Sequence, residues 1–185
     1  MTTQAWFETL DSREVHEGYS RVRIDTVRTP DGDTVEREVV EHDDAVGVVP
    51  LTDGGEVLLL RQYRHALGRY ILEIPAGKLD VLGEEAEAAA HRELAEEMHV
   101  AVRELEPLTV FVNSAGWATE HTHVYLGRGT TPVAAPDGFE PKAEEAHLEV
   151  VSLPVEAAVE AVVDGTIIDA KSVIGILLAD RHLQG

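Results

Sequence analysis

The chain has 185 residues, of which 44% are hydrophobic and none is cysteine, and its 35 acidic and 15 basic residues give a net charge of −20. This length corresponds to about one domain and lets the chain bury enough surface to fold without disulfides or metals. The absence of cysteine excludes disulfides, thiolate zinc sites and cysteine nucleophiles. The negative charge argues against nucleic acid or an anionic membrane as partners.

The sequence shows no pattern of a secretory signal or a membrane span. The first residues, MTTQAWFETL, contain no basic segment followed by an apolar stretch, and no apolar run approaches the roughly 18 residues of a membrane span. We therefore expect a cytoplasmic protein with no membrane partner. A small phosphorylated ligand is still compatible with the charge, since a metal and one or two arginines can hold it locally.

Strand and turn patterns occupy the first 77 residues. Two β-type runs at 21–29 and 34–41 flank the turn sequence PDGD and predict a hairpin. Apolar, β-branched runs at 45–51 and 56–64 flank TDGG and predict a second hairpin. Another short strand, at 70–74, leads into the sequence PAG.

The clearest helix follows at 84–98, because EEAEAAAHRELAEEM is rich in strong helix formers and acidic at its start, where the helix dipole favours negative charge. The remaining patterns predict strands at 105–113, 121–126 and 148–153, a Gly/Pro/Ala-rich loop at 128–144, and helices at 155–163 and 170–182. Strands interrupted by one helix and closed by others indicate a layered α/β or α+β domain.

Three carboxylates share one face of the predicted helix 84–98. Glu93, Glu96 and Glu97 stand at positions i, i+3 and i+4, with Arg92 as the nearby cation. Two interpretations follow. A hard divalent cation such as Mg²⁺ or Mn²⁺ would convert the repulsion into oxygen coordination, whereas an acidic protein can also carry these residues on a solvated helix face.

The wider segment 77–100 resembles the Nudix box, the signature of hydrolases that act on nucleoside diphosphates linked to another moiety. Glu84 and Arg92 have the seven intervening residues of that pattern, and RELAEE matches it residue for residue. Two positions differ. Six residues rather than five separate Gly77 from Glu84, and His99 replaces the last glycine. His99 must therefore adopt the backbone conformation that glycine normally supplies, or the helix must end differently.

The resemblance extends to the ADP-ribose pyrophosphatase branch of that family. The segments 36–42, 62–65 and 72–77, EREVVEH, QYRH and LEIPAG, are similar to blocks of that branch in the same order. The longer spacing with Leu-Asp-Val at 79–81 is similar to an actinobacterial variant. Ala115 stands where the branch usually has proline.

This resemblance implies a Nudix α/β/α sandwich around a mixed sheet at 45–185, preceded by an N-terminal β region at 1–44 that is exchanged in a homodimer. The hairpin sequence itself supports the second point. Apolar residues in Arg21–Glu41 have little sequence of their own to cover them, which predicts a subunit interface.

Roles for individual residues also follow from the resemblance. The metal ligands would be Ala76, Glu93, Glu96 and Glu97. The catalytic group would be Glu145, with Glu144 as the alternative base and Arg92 orienting the glutamates. The substrate-binding residues would be Arg37, Arg64, Gly77 and Trp117. Solvated glutamates, a surface salt bridge for Arg64 and a half-buried Trp117 are the corresponding structural alternatives.

The function expected from these matches is Mg²⁺-dependent cleavage of ADP-ribose to AMP and ribose 5-phosphate, with Mn²⁺ as a possible replacement. Two alternatives stay open: hydrolysis of another nucleoside diphosphate sugar or a dinucleoside polyphosphate, and nucleotide-sugar sensing without turnover.

Overall fold

The computed structural model describes residues 6–136, 138–140 and 146–185. The predicted bases Glu144 and Glu145 lie outside the described residues. Contacts divide the chain into a first unit, Met1–Asp43 with Val112–His121, and a second unit, Asp44–Phe111 with Thr122–Gly185. The division into domains at residue 44 stays a prediction.

The first unit contains an antiparallel sheet of three strands in the order β1-β2-β3. These are β1 (Glu8–Glu17), β2 (Arg21–Arg28) and β3 (Thr34–Glu41). The β2–β3 pairing confirms the predicted hairpin, with Gly32 at φ 91° in its turn. Strand β1 is not predicted from the sequence, because every residue in it is exposed and no apolar alternation marks it.

The segment 112–121 is tied to β3 within the same unit. The backbone N–H of Val40 donates to the Trp117 carbonyl at 2.8 Å, and the N–H of Thr119 donates to the Val40 carbonyl at 3.0 Å. An isolated parallel bridge between Val40 and Ala118 therefore links the segment to β3.

The second unit is built on a mixed sheet of seven strands, β12-β5-β4-β10-β9, with β6 beside β5 and β7 beside β4. Its strands are β4 (Ala45–Leu51), β5 (Glu56–Arg64), β6 (Arg69–Glu73), β7 (Ala76–Lys78), β9 (Glu104–Val112), β10 (His121–Arg128) and β12 (Glu149–Pro154). The short strands β8 (Val100–Ala101) and β11 (Thr131–Pro132) pair with each other. The helices are α1 (Ala86–Met98), α2 (Val155–Val163) and α3 (Ala170–Gln184).

Strand β4 is buried along its whole length and separates two hydrophobic cores. Val46 and Val48 pack with Leu94 of α1, whereas Val49 packs with Ile176 of α3. Because successive side chains of a strand point to opposite faces, helices must cover both sides of the sheet. This arrangement confirms the predicted α/β/α sandwich.

Several element boundaries differ from the prediction. Helix α1 begins at Ala86 rather than at residue 84, because Glu85 has an extended backbone at φ −74° and ψ 148°. Ala76–Lys78 forms strand β7 through pairing with β4, and β11 lies inside the predicted loop 128–144. Both short strands depend on long-range partners that a local pattern does not contain.

Helix α1 ends with a left-handed residue. His99 has φ 54° and ψ 42°, and its N–H donates to the Leu94 carbonyl. Among the described residues, it is the only non-glycine residue with positive φ. His99 thus adopts the conformation that glycine supplies in this cap, which decides between the two alternatives left by the sequence.

No helix in the described part of the chain is long and apolar enough to cross a membrane. The cytoplasmic location stays a prediction.

Candidate active site

Arg92 is the centre of a hydrogen-bond cluster on α1. Its Nη1 donates to Glu93 at 2.6 Å and to Glu96 at 3.2 Å, while Nε and Nη2 donate to the two Glu84 oxygens at 3.1 and 2.9 Å. A further bond reaches the Lys78 carbonyl at 3.3 Å. The guanidinium therefore holds three carboxylates at once through charge-assisted bonds.

Gly77 lies against the carboxyl group of Glu93. A Cβ atom on Gly77 would fall less than 3.0 Å from all three carboxyl atoms of Glu93. Burial raises the pKa of Glu93, and the negative charges of Glu96 and Asp80 add to this effect against the opposing effect of Arg92. The absent side chain of Gly77 therefore provides the space for a partly buried carboxylate. A contact between Gly77 and the substrate stays a prediction.

Glu97 is held by the backbone of β7. Its Oε2 accepts a hydrogen bond from the Ala76 N–H at 3.0 Å. Burial raises the pKa of Glu97 to about 8, and the charge of Glu93 acts in the same direction, whereas the Ala76 N–H, Lys171 and Arg64 lower it. Two partly buried carboxylates thus lie close together between α1 and β7, and the charge of Glu93 opposes the ionisation of Glu97.

The oxygen donors near Arg92 provide part of a site for a divalent cation. No three His, Cys, Asp or Glu side chains of the described residues are grouped closely enough to hold an ion by themselves. Glu93 and Glu96 both accept hydrogen bonds from Arg92. Even so, Glu93 and Glu97 offer hard oxygen donors whose mutual repulsion a cation would relieve. They fit part of a Mg²⁺ shell, with substrate oxygens or water as further ligands.

Arg64 forms an ion pair with a buried carboxylate. Its Nε and Nη2 donate to the two oxygens of Glu73 at 2.6 and 2.7 Å, and Lys171 contacts the same carboxylate. Burial raises the pKa of Glu73, but Arg64 and Lys171 more than offset this and leave the pKa below its usual value. The salt bridge considered for Arg64 is therefore present, although its acceptor is buried rather than on the surface.

The start of α3 fixes Lys171 beside this carboxylate. Asp169 caps the helix by accepting from the Ser172 N–H at 3.0 Å and from the Ser172 hydroxyl at 2.6 Å. The same hydroxyl accepts from the Ile74 N–H at 2.9 Å. Because Ile74 follows Glu73 in the chain, the cap locks the start of α3 to the end of β6.

A cavity of about 250 Å³ adjoins the carboxylates of α1. It is lined by Glu96, Glu97, Met98, His99, Phe139, Ala146, Leu148 and Val150. The metal-ligand candidates therefore border a space that can admit part of a small molecule.

Arg37 and Trp117, two predicted substrate-binding residues, belong to the first unit. The Nη1 of Arg37 donates to the Glu36 carbonyl at 2.8 Å. Trp117 is 54% exposed, and its Nε1 donates to Glu38 at 3.2 Å. The described Nudix-box residues and Arg64 lie in the second unit.

Sequence reasoning missed part of the charge network. It assigned no role to Glu73, Lys171 or Asp169, and it used Glu84 only as a spacing marker. One sequence feature could have indicated a buried ion pair, because Glu73 is a charged residue inside an apolar strand. Lys171 carried a weaker one, because the chain has only three lysines, Lys78, Lys142 and Lys171.

A family model described as the NUDIX domain matches residues 41–172. The chain belongs to the Nudix family. Within it, the chain is 37% identical over 180 residues to an ADP-ribose pyrophosphatase of Mycobacterium tuberculosis, covering 97% of this chain and 86% of that one. It is 36% identical over 153 residues to an ADP-ribose pyrophosphatase of Bacillus subtilis, covering 83% and 80%.

A solved structure supports the Nudix fold. A crystal structure of an ADP compounds hydrolase superimposes with a TM-score of 0.84 at 23% identity, covering 97% of this chain and 95% of that one. The cluster around Arg92 lies within the residues that the family model matches.

Proposed function

We propose that this Nudix protein hydrolyses the diphosphate of ADP-ribose to AMP and ribose 5-phosphate with Mg²⁺, and that Mn²⁺ can replace it. The observation that carries the proposal is the pair of partly buried carboxylates Glu93 and Glu97: Arg92 donates to Glu93, the Ala76 N–H donates to Glu97, and Gly77 leaves the space that the Glu93 carboxylate occupies. The substrate is inferred from the two relatives named ADP-ribose pyrophosphatase.

The residues of the chain divide the work. Glu93 and Glu97, with Glu96 and the Ala76 carbonyl, would hold the cation. Arg92 orients the carboxylates of Glu93 and Glu96 in the protein without the cation. When bound, Mg²⁺ neutralises charge on the diphosphate and makes a bound water more acidic.

Hydrolysis also needs a base and an anchor for the diphosphate. Glu145, or Glu144 as the alternative, would take a proton from the attacking water. The water oxygen bonds to phosphorus, the anhydride P–O bond breaks, and its oxygen leaves with the other phosphate. Arg64 would contact the diphosphate with the part of its guanidinium that Glu73 does not bind, and Gly77 would line the substrate site.

We further propose a homodimer in which Arg37 reaches the partner's substrate and Trp117 stacks on the adenine. The first unit supports this, since Trp6, Phe7, Leu10 and Val15 along or just before β1 are 80%, 56%, 41% and 45% exposed. An exposed strand with such side chains is typical of a pairing surface.

The test is a panel of substrates assayed with Mg²⁺ and with Mn²⁺. ADP-ribose should give the highest kcat/KM among ADP-ribose, GDP-mannose and dinucleoside polyphosphates. A higher kcat/KM for one of the others would reassign the substrate, and binding without turnover of any of them would indicate a sensor.

A further inference from the structure

Arg64 and Lys171 share one buried carboxylate. Both contact Glu73, whose side chain is 2% exposed, and Lys171 also pairs with Asp169 at 2.9 Å. Two cations and two carboxylates give this cluster no net charge. Because a partly buried cluster is weakly screened, the loss of one member changes the potential at its neighbours.

Exposure increases outward through the cluster. The side chain of Lys171 is 13% exposed and that of Arg64 is 41% exposed. Glu73 engages Arg64 through Nε and Nη2, so Nη1 is the guanidinium nitrogen that this contact does not use. Arg64 is thus the outer member that an anionic ligand can reach, and Lys171 is an inner one.

The cluster also lies close to the carboxylates of α1. Burial dominates the pKa of Glu97 and raises it, while the positive charges of Lys171 and Arg64 act in the opposite direction. The positive charges of this cluster therefore act on Glu97, one of the proposed metal ligands.

We propose that Lys171 is a positioning residue, which neutralises and holds Glu73 so that Arg64 presents a positive, oriented guanidinium to the substrate diphosphate. This rests on the proposed binding role of Arg64. Without Lys171, Arg64 is the one remaining cation on the Glu73 carboxylate, so its guanidinium is held by that carboxylate rather than presented to the ligand. Lys171 acts through Glu73 and Arg64 and touches no substrate itself.

The first measurement is the steady-state kinetics of K171M with ADP-ribose and Mg²⁺. KM should rise about tenfold, a size typical of coupling within one charge network, while kcat stays within about twofold because binding is the step affected. K171R should restore KM. The control is R181M, which removes the same charge from an exposed position about 15 Å further along α3.

The second measurement repeats the substitution without Arg64. In an R64M background, K171M should leave KM unchanged, because Lys171 then has no guanidinium to position. An equal rise in both backgrounds would overturn the proposal, and so would an unchanged KM in K171M alone.

Calorimetric binding of ADP to the metal-free protein separates this proposal from the proposed function. If ADP-ribose is not hydrolysed but K171M weakens ADP binding only when Arg64 is present, the function fails and the positioning role stands. If hydrolysis occurs and K171M changes neither KM nor ADP binding, the positioning role fails and the function stands. Failure of the wild-type protein to bind ADP would also overturn the positioning role.

One comparison covers the case in which K171M does not fold. E73Q/K171M has neither the buried carboxylate nor its lysine partner, and it is compared with E73Q. Both should bind ADP equally within about twofold, because Lys171 acts through Glu73. A tenfold difference between them would overturn the proposal by indicating a direct role for Lys171.

Discussion

Gly77 and Glu93 occupy complementary space: the carboxyl group of Glu93 fills the volume in which any side chain at residue 77 would begin. The two residues are 16 positions apart in the sequence, on β7 and α1. Glycine is needed at residue 77 because the Glu93 side chain approaches its backbone closely, and not for its backbone conformation, since its φ is not in the left-handed region.

G77A should therefore displace the Glu93 carboxylate. The end of a flexible side chain can move, so we expect folding to persist while Mn²⁺ affinity, measured by calorimetry, and turnover both fall, turnover by about a hundredfold or more. G54A is the control, because a Cβ there makes only an ordinary contact at 3.6 Å. Wild-type Mn²⁺ affinity in G77A would refute the role of this contact.

E97Q should abolish most activity and stabilise the metal-free protein at high pH. The unfolded carboxyl titrates near 4.5 and the folded one near 8, so the folded state binds the extra proton between these values. Wild-type stability therefore falls as pH rises through this window, and glutamine removes that loss. Turnover should drop at least about a hundredfold.

Urea unfolding in EDTA at pH 5 and pH 9 measures the effect. The gain of E97Q over wild type should be larger at pH 9, and E87Q, which removes an exposed carboxylate from the same helix, controls for the change in net charge. A gain that is equal at both pH values would contradict the burial of Glu97 as its cause.

H99G should stabilise the protein. A non-glycine residue in the left-handed region costs about 1–2 kcal/mol of stability. Glycine removes this strain but loses more backbone entropy on folding, so we expect a net gain of about 0.5–1 kcal/mol. H91G is the matched control, and in the middle of α1 it should lose about 1 kcal/mol. Chemical denaturation of both variants checks the prediction, and a loss in H99G would refute it.

E145Q should lower kcat by the roughly 10²–10⁴-fold typical of a lost general base while leaving Mg²⁺ affinity nearly intact. E144Q is the comparison and should be mild. Single-turnover hydrolysis of ADP-ribose at saturating Mg²⁺ decides between them. A large loss in E144Q alone would move the base by one residue, and full rates in both variants would place it elsewhere.

The protein should sediment as a dimer at micromolar concentration, because an exposed β1 carries apolar side chains. L10D should shift it toward monomer and lower activity with it, since Arg37 is proposed to act across the interface. T9D adds the same charge to the same strand as a control. A fully active wild-type monomer would rule out the proposed dimer.

The sequence by itself determined those features that repeat over a few residues. The hairpin β2–β3, the two C-terminal helices and most of α1 follow from local alternation, turn residues and helix propensity. The carboxylate spacing of the Nudix box is likewise local, because a helix converts positions i, i+3 and i+4 into one face.

Only the tertiary structure decided how distant residues meet. Glu73 and Lys171 are 98 positions apart, and β7 exists because Ala76–Lys78 pairs with β4. The sequence left two conformations open at His99, and the structure selects the left-handed one. Each of these outcomes depends on contacts between elements, whose free energy comes from burial and pairing across the fold rather than from the residues of one segment.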